Sequence, residues 1–212
     1  MKVAIIGAGG NIGSAIRDEA LSRGHQVTAI GRDPSKITVQ NDNLTVVKGD
    51  ILEGNVDELI KGNEAVISSY NPGWGLEDLY DVTIQGYEKI ISGAKKAGAR
   101  LLVVGGAGSL EVSPGVQLIE NMEVPPNIKN GILGLREVLY TLRKESGLDW
   151  TFLSPAANIA PGERTGKFRL GGDQLVTDAD GNSNISNQDY AIVMIDELEN
   201  PKHTGKRFTA AY

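Results

Sequence analysis

Short apolar runs punctuate the chain at a regular rhythm, and helical patterns fill the spaces between them. The runs are Lys2–Ile6, Gln26–Ile30, Leu44–Lys48, Ala65–Ser68, Leu101–Val104 and Trp150–Leu153. They are rich in Val, Ile and Leu and alternate little between apolar and polar positions, as strands covered on both faces do. After the first run, Ile12, Ala15, Ile16 and Ala20 recur at helical spacing, and Gly24 supplies a stop. Further helices are predicted from Glu77 to Ala97, from Lys129 to Ser146 and from Asn187 to Glu199. The last of these has Ser186 and Asp189 in capping-box spacing and a buried stripe of Ala191, Met194, Ile195 and Leu198. Arg207–Tyr212 reads as a final strand.

Strand–helix alternation at this rhythm predicts an α/β fold, a Rossmann-type doubly wound parallel sheet with right-handed crossovers. Residues 1–212 are read as a single domain, with 154–212 a small C-terminal extension packed on its substrate side. The stretch from Ala107 to Asn127 holds Pro114, Gly115, Pro125 and Pro126 with weak periodicity. A connection that long inside a domain predicts a functional segment such as a lid, with Met122 a candidate for closing over a site.

Composition narrows the function classes. Hydrophobic residues are 40% of the 212 and charged residues 23%, which excludes a disordered chain. Net charge is −6 with Lys and Arg scattered, so there is no concentrated footprint for nucleic acid. Cysteine is absent, which removes disulfides, thiolate metal sites and cysteine nucleophiles. His25 and His203 lack ligand-like spacing with carboxylates, so no metal is expected. No run approaches the roughly 18 apolar residues of a membrane span. The N-terminal run stops at Gly7, too early for a signal peptide, and the expectation is a cytoplasmic protein. Glycine, at 27 residues, is well above its usual share of roughly 7%. Much of it follows apolar runs, where phosphate-binding turns are made.

The sequence GAGGNIG, Gly7 to Gly13, follows the first strand and opens the first helix. In that context each glycine has its own task. Gly7 permits the tight turn, Gly10 lets the backbone approach a pyrophosphate, and Gly13 lets the helix pack closely on the strand. Backbone N–H groups of Asn11 and Ile12 and the positive end of the helix dipole then hold the phosphates. No GK[ST] is present, so a P-loop is not supported. After the second strand, where an NAD site usually has an acid, the chain reads Gly31-Arg32-Asp33. Arg32 can stack on adenine and fork onto a 2′-phosphate, while Asp33-Pro34-Ser35 reads as a cap or turn. NADP(H) is therefore favoured, with NAD(H) also allowed. Asp50 and Ile51 end the third strand where an adenine edge would lie, although Asp50 also suits a turn. Ser68 and Ser69 close the fourth strand on the way to the nicotinamide.

With those residues the chain resembles the NmrA-like and biliverdin-reductase-B-like branch of the atypical short-chain dehydrogenase/reductases. More narrowly it is similar to a bacterial group provisionally named NADH-flavin reductases. The resemblance spans the chain through GAGGNIG, GRDPSK, VVKGDI, LLVVGGAGSLEV, GLDWTFLSPA, PGERTGKFRLGG, ISNQDYA and RFTAAY. It implies NADP(H) across a Rossmann-type sheet. It also implies Gly105, Gly106 and the residues through Ser109 at the nicotinamide end, Pro155–Ala156 beneath it, and Arg164 near the open side.

Carbonyl-reducing members of the wider superfamily use Tyr-x-x-x-Lys as a proton relay. Tyr140 and Lys144 have that spacing but sit at the end of their helix. About three turns earlier, where the pair belongs, the chain has Lys129, Asn130 and Gly134. A flavin takes hydride at its own ring nitrogen, so a missing relay suits a planar conjugated acceptor such as FMN or riboflavin. Ser109 is the candidate polar contact near the nicotinamide, with a plain loop serine as the alternative. Tyr70 and Trp74 are candidate stacking walls for a small planar acceptor, Trp74 also suiting a loop anchor. Ser154-Pro155 lacks the G-x-S-x-G of a nucleophile elbow. The leading expectation is an NADPH-dependent oxidoreductase of a flavin-like acceptor, as a monomer or homodimer. The alternatives are an NmrA-like NADP(H) sensor without turnover and, last, a sugar-nucleotide epimerase or dehydratase.

Overall fold

The apolar runs form the core strands of one sheet in a computed structural model that describes residues 1–212. In chain order the first elements are β1 (Lys2–Ile6), α1 (Asn11–Ser22), β2 (Gln26–Gly31), β3 (Leu44–Lys48), α2 (Val56–Leu59) and β4 (Ala65–Ser68). Next come α3 (Leu79–Ala97), β5 (Arg100–Val104), β6 (Glu111–Ser113), β7 (Val116–Gln117), α4 (Pro126–Lys144) and β8 (Trp150–Ser154). The chain ends with β9 (Asn158–Ala160), β10 (Arg169–Gly171), β11 (Asn184–Ser186), α5 (Asn187–Glu199) and β12 (Lys206–Ala211). The main sheet has eight strands in the order β3–β2–β1–β4–β5–β8–β12–β10. Only β10 is antiparallel to its neighbour. The chain starts mid-sheet and winds outward in both directions, so a crevice opens where β1 and β4 end side by side.

Strand alternation divides the core into two layers. Ile5, Ile67, Leu102 and Leu153 face α1 and α5, where Ile16, Tyr190, Met194 and Phe208 complete a buried cluster. Ile6, Val66, Leu101, Val103 and Phe152 face the other way, against Tyr87 and Ile90 of α3 and Leu139 of α4. No helix is long and apolar enough to cross a membrane.

Two expectations change. The 107–127 stretch is not a lid over the crevice at the ends of β1 and β4. Residues 111–117 form the β6–β7 hairpin, turning at Gly115 with φ +76°, and the Leu118–Asn121 3-10 turn follows. Leu110 and Ile119 are buried beneath it. The Glu111 N–H donates to the Asp173 carbonyl and the Leu175 N–H to that of Glu111, tying the hairpin to the flank by β10. The weak periodicity reflects a two-residue strand and a single 3-10 turn, too short to carry a pattern. The C-terminal region, in turn, is more than an addition to the core. It supplies α5 and two strands of the main sheet, and β12 pairs directly with β8.

The α5 cap is half of the predicted box. The Ser186 hydroxyl accepts the Asp189 N–H at 2.9 Å, but the Asp189 carboxylate turns elsewhere. It accepts the N–H groups of Thr165 and Gly166 and the hydroxyls of Thr165 and Tyr212. Burial opposes its ionisation, yet these donors hold its pKa below the ordinary carboxylate value. Asp189→Asn should therefore destabilise the protein by about 2–4 kcal/mol at neutral pH, because an amide cannot accept from all of them. With a depressed folded pKa, the carboxylate's stabilisation is full above the unfolded value of roughly 3.9 and disappears as pH falls through the folded value. Denaturant titrations from neutral to acid pH should show the gap between wild type and variant closing below about pH 4. A gap that stays constant would mean the buried group is not ionised.

Candidate functional site

The crevice at the switch point is a cavity of about 400 Å³. It is lined by the first glycines of the motif, the β2 end from Ile30 to Lys36, Gly49, Ile51 and Ser69 to Asn71. Backbone contact makes its floor. Gly7 has φ +78°, and a Cβ there would lie 2.4 Å from the Ser69 carbonyl oxygen. A Cβ on Gly13 would lie 2.1 Å from the Gly7 carbonyl oxygen. Both positions are closed to any side chain unless the backbone moves. Gly10 is the N-cap of α1 and gives the helix no side-chain cap. Its own N–H donates to the Gly7 carbonyl at 2.9 Å, and the first helical bond comes from Ser14 to Gly10. The N–H groups of Asn11, Ile12 and Gly13 are thus left without intrahelical partners at the positive end of the dipole, a cradle that fits a pyrophosphate.

The far end of the cavity is cationic. Arg32 lines it and makes one hydrogen bond, from Nη2 to the Pro72 carbonyl at 3.0 Å. Lys36 lines it too and was not a site candidate in the sequence. The signal lies in Asp33-Pro34-Ser35: the Asp33 carboxylate accepts both the Ser35 hydroxyl (2.6 Å) and the Ser35 N–H (3.1 Å). That cap starts the one-turn Pro34–Lys36 helix, which brings Lys36 back against Gly9. The hydroxyl first and the N–H second hold the Asp33 carboxyl below its ordinary pKa. Both bonds fall on Oδ1, so the acid beside Arg32, which also lines the cavity, has one oxygen engaged with its own turn and Oδ2 without a hydrogen-bond partner.

Other candidates are distributed along the sheet. Ile51 and Ser69 line the cavity, whereas Asp50 accepts the Leu52 N–H at 2.8 Å in a turn. Ser68 is fully buried, and its hydroxyl faces the Tyr70 N–H at 3.4 Å. Tyr70 lines the nucleotide cavity, but its ring lies in a slot over Gly86 of α3, where a Cβ would come within 2.3 Å of it. Its hydroxyl is buried without a partner, and burial first, then the Asp50 charge, pushes its pKa up to about 12. Gly105, Gly106, Pro155 and Ala156 end β5 and β8, two and three strands from β1, at about 4.8 Å per strand. Gly105 is also a packing requirement, since a Cβ there would meet Phe152 at 2.1 Å.

Three candidates lie outside the lining of this cavity. The Ser109 hydroxyl is buried against Arg207 of β12, 3.4 Å from Nη1, because the hairpin draws its loop toward that flank. Arg164 is not turned toward the cavity. It forms a two-point ion pair with the buried Glu19 of α1, both contacts at 2.8 Å, and Thr165 and Gly166 fasten the segment to Asp189. Trp74 stays 47% exposed beside the start of α4, its ring over Gly131 and its carbonyl accepting from Asn127 Nδ2. Tyr140 accepts from Gln117 Nε2 at 2.8 Å, under the hairpin.

A glycine turn between a central parallel strand and an uncapped helix, at the switch point of a doubly wound sheet, defines a dinucleotide-binding protein. The chain belongs to the NAD(P)H-binding family of the atypical short-chain dehydrogenase/reductases, whose sequence profile matches residues 7–201. It is 41% identical to YwnB of Bacillus subtilis, covering 99% of this chain and 97% of that protein. A structure from Bacteroides thetaiotaomicron, provisionally named an epimerase, is 50% identical with a TM-score of 0.93, covering 100% of this chain and 96% of the other. One from Streptococcus pneumoniae, provisionally named an NADH-flavin reductase, is 35% identical with a TM-score of 0.87, covering 100% and 99%.

Gly13→Ala tests the backbone cradle. It should reduce nucleotide affinity at least about 100-fold, since the collision moves either the helix or the N–H groups it presents. Calorimetric titration with NADPH, beside a melting curve to separate misfolding, reads it. Unchanged affinity would mean that α1 does not hold the phosphates.

Proposed function

We propose that this protein is an NADPH-dependent reductase of a small planar conjugated acceptor, of which FMN and riboflavin are the first candidates. The observation that carries the cofactor preference is the pairing of Arg32 and Lys36 in one cavity wall, where the single neighbouring acid, Asp33, has one of its oxygens held by Ser35. A ribose 2′-phosphate would meet two cations there, against one partly engaged carboxylate for a 2′-hydroxyl. The NADH-flavin reductase name of the pneumococcal relative supports the reaction type.

When bound, NADPH supplies a hydride at the nicotinamide ring. The chain's own contribution is to place the rings. The α1 N–H groups would hold the pyrophosphate and Arg32 and Lys36 the adenosine end, leaving the ends of β5 and β8 to hold the nicotinamide. A flavin receives the hydride at its ring nitrogen, so proximity and orientation replace a protein proton donor. The position of Tyr140 supports this reading, because the phenol lies in the last turns of α4 against Gln117 of the hairpin and does not line the cavity. The provisional epimerase name of the Bacteroides relative fits less well, since α4 begins with Pro126, Lys129 and Asn130 and has no tyrosine in its first turns.

Arg32→Ala should weaken NADPH by about 10–100-fold and NADH far less, as expected for loss of a charge-assisted bond. An equal loss for both, measured by fluorescence titration, would overturn the NADP preference. For turnover, the test is NADPH oxidation with FMN or riboflavin under anaerobic conditions, against an enzyme-free blank. Saturable flavin reduction is expected, and Tyr140→Phe should retain it within about threefold. Nucleotide binding without turnover on any flat acceptor would favour the redox-sensor alternative. A loss of several hundredfold in a folded Tyr140→Phe would put that phenol back into the chemistry.

A further inference from the structure

The hydrogen bond from Arg32 Nη2 to the Pro72 carbonyl, at 3.0 Å, crosses from the end of β2 to the loop after β4. That loop carries Trp74. It has its own turn, in which Asn71 Oδ1 accepts the Gly73 N–H at 2.8 Å and Gly73 adopts φ +136°. Beyond the turn, Asn127 Nδ2 donates to the Trp74 carbonyl at 3.1 Å. The loop is therefore tethered on one side by the nucleotide wall and on the other by the start of α4.

We propose that Arg32 is a positioning residue that couples the nucleotide end of the site to the loop after β4: a 2′-phosphate clamps its guanidinium, and the clamped guanidinium holds Pro72 and orders the Asn71–Trp74 turn. This rests on the NADP reading of the cavity. Arginine is suited to the task by shape. Its planar fork presents N–H groups on more than one edge, so one edge stays on the carbonyl while another takes the phosphate. Here only the Pro72 bond is made, and Arg32 has no acidic partner. Without a phosphate, a single part-buried hydrogen bond contributes little order to the loop. With one, the guanidinium is fixed from both sides. NADH, lacking the phosphate, would occupy the same cradle and leave the strut loose, so discrimination between the cofactors would extend to the order of the loop after β4.

Amide hydrogen exchange over residues 71–78 of the full chain tests this, with adenosine 2′-monophosphate and adenosine 5′-monophosphate as probes. Neither probe carries a nicotinamide, so no effect can come from that ring. Saturating 2′-monophosphate is expected to slow exchange in the segment roughly fivefold, and 5′-monophosphate to leave it unchanged. Arg32→Lys keeps a cation for the phosphate but has no second edge. It should still bind the 2′-monophosphate by calorimetry and show no slowing. If the wild type binds the 2′-monophosphate with unchanged or faster exchange, the strut is wrong and the NADP reading stands. Slowing retained in Arg32→Lys would also overturn it, because a point charge would then suffice. If the 2′-monophosphate binds no better than the 5′ isomer, the NADP reading falls and the strut falls with it.

Discussion

Everything in the site depends on one close approach, the packing of the α1 backbone onto the turn that leaves β1. With Gly13 pressed against the Gly7 carbonyl and Gly7 against that of Ser69, the helix starts at the bottom of the crevice with no side chain between it and a ligand. The same approach orders the rest of the site. Ser69 leads into Tyr70 and the Trp74 loop, and the β2 end beside Gly7 leads into Arg32 and Lys36. A one-atom enlargement at either glycine would move three elements together, since interiors at native density cannot absorb a methyl group at such distances.

Opposite this rigid floor, the walls are held by polar ties from distant parts of the chain. Arg17, largely buried, donates Nη1 to the Ala8 carbonyl and steadies the glycine turn from behind. Asn187, at the start of α5, reaches the Asn11 carbonyl at 3.4 Å. The Arg164–Glu19 pair and the Asp189 hub fasten the segment from Glu163 to Gly166 across α1 and α5. In the Glu19 carboxylate the Arg164 hydrogen bond outweighs burial and keeps the group ionised. The C-terminal region is thereby a clamp on α1.

Where periodicity was strong, the chain was legible. The six apolar runs match β1, β2, β3, β4, β5 and β8 to within a residue at each end. Five are strands covered on both faces and apolar for that reason, whereas β3 is an edge strand with Thr45, Val46 and Lys48 exposed. The four long helices were found with ends shifted by up to about three residues, as Pro126 shows by opening α4 earlier than the apolar pattern begins, whereas the four-residue α2 was missed. The short pieces were not legible. β9, β10 and β11 have three residues each, and β7 has two, fewer than any repeat needs to declare itself.

Within the site, the sequence alone determined what the backbone must do, since glycine spacing after a strand has few physical readings, and it placed Arg32 where a dinucleotide's adenosine end is read. Tertiary structure decided where the polar side chains point. Ser109, Arg164 and Tyr70 each have the chemistry of a site residue, yet Arg207, Glu19 and the Gly86 slot claim them. Those partners lie 98 residues away for Ser109, 145 for Arg164 and only on the neighbouring helix for Tyr70. Lys36 made the opposite passage, from an unremarked loop residue to a cavity wall, through a three-residue cap. A backbone requirement is written locally, whereas the partner of a long polar side chain is chosen by whatever the fold brings within about 3 Å of it.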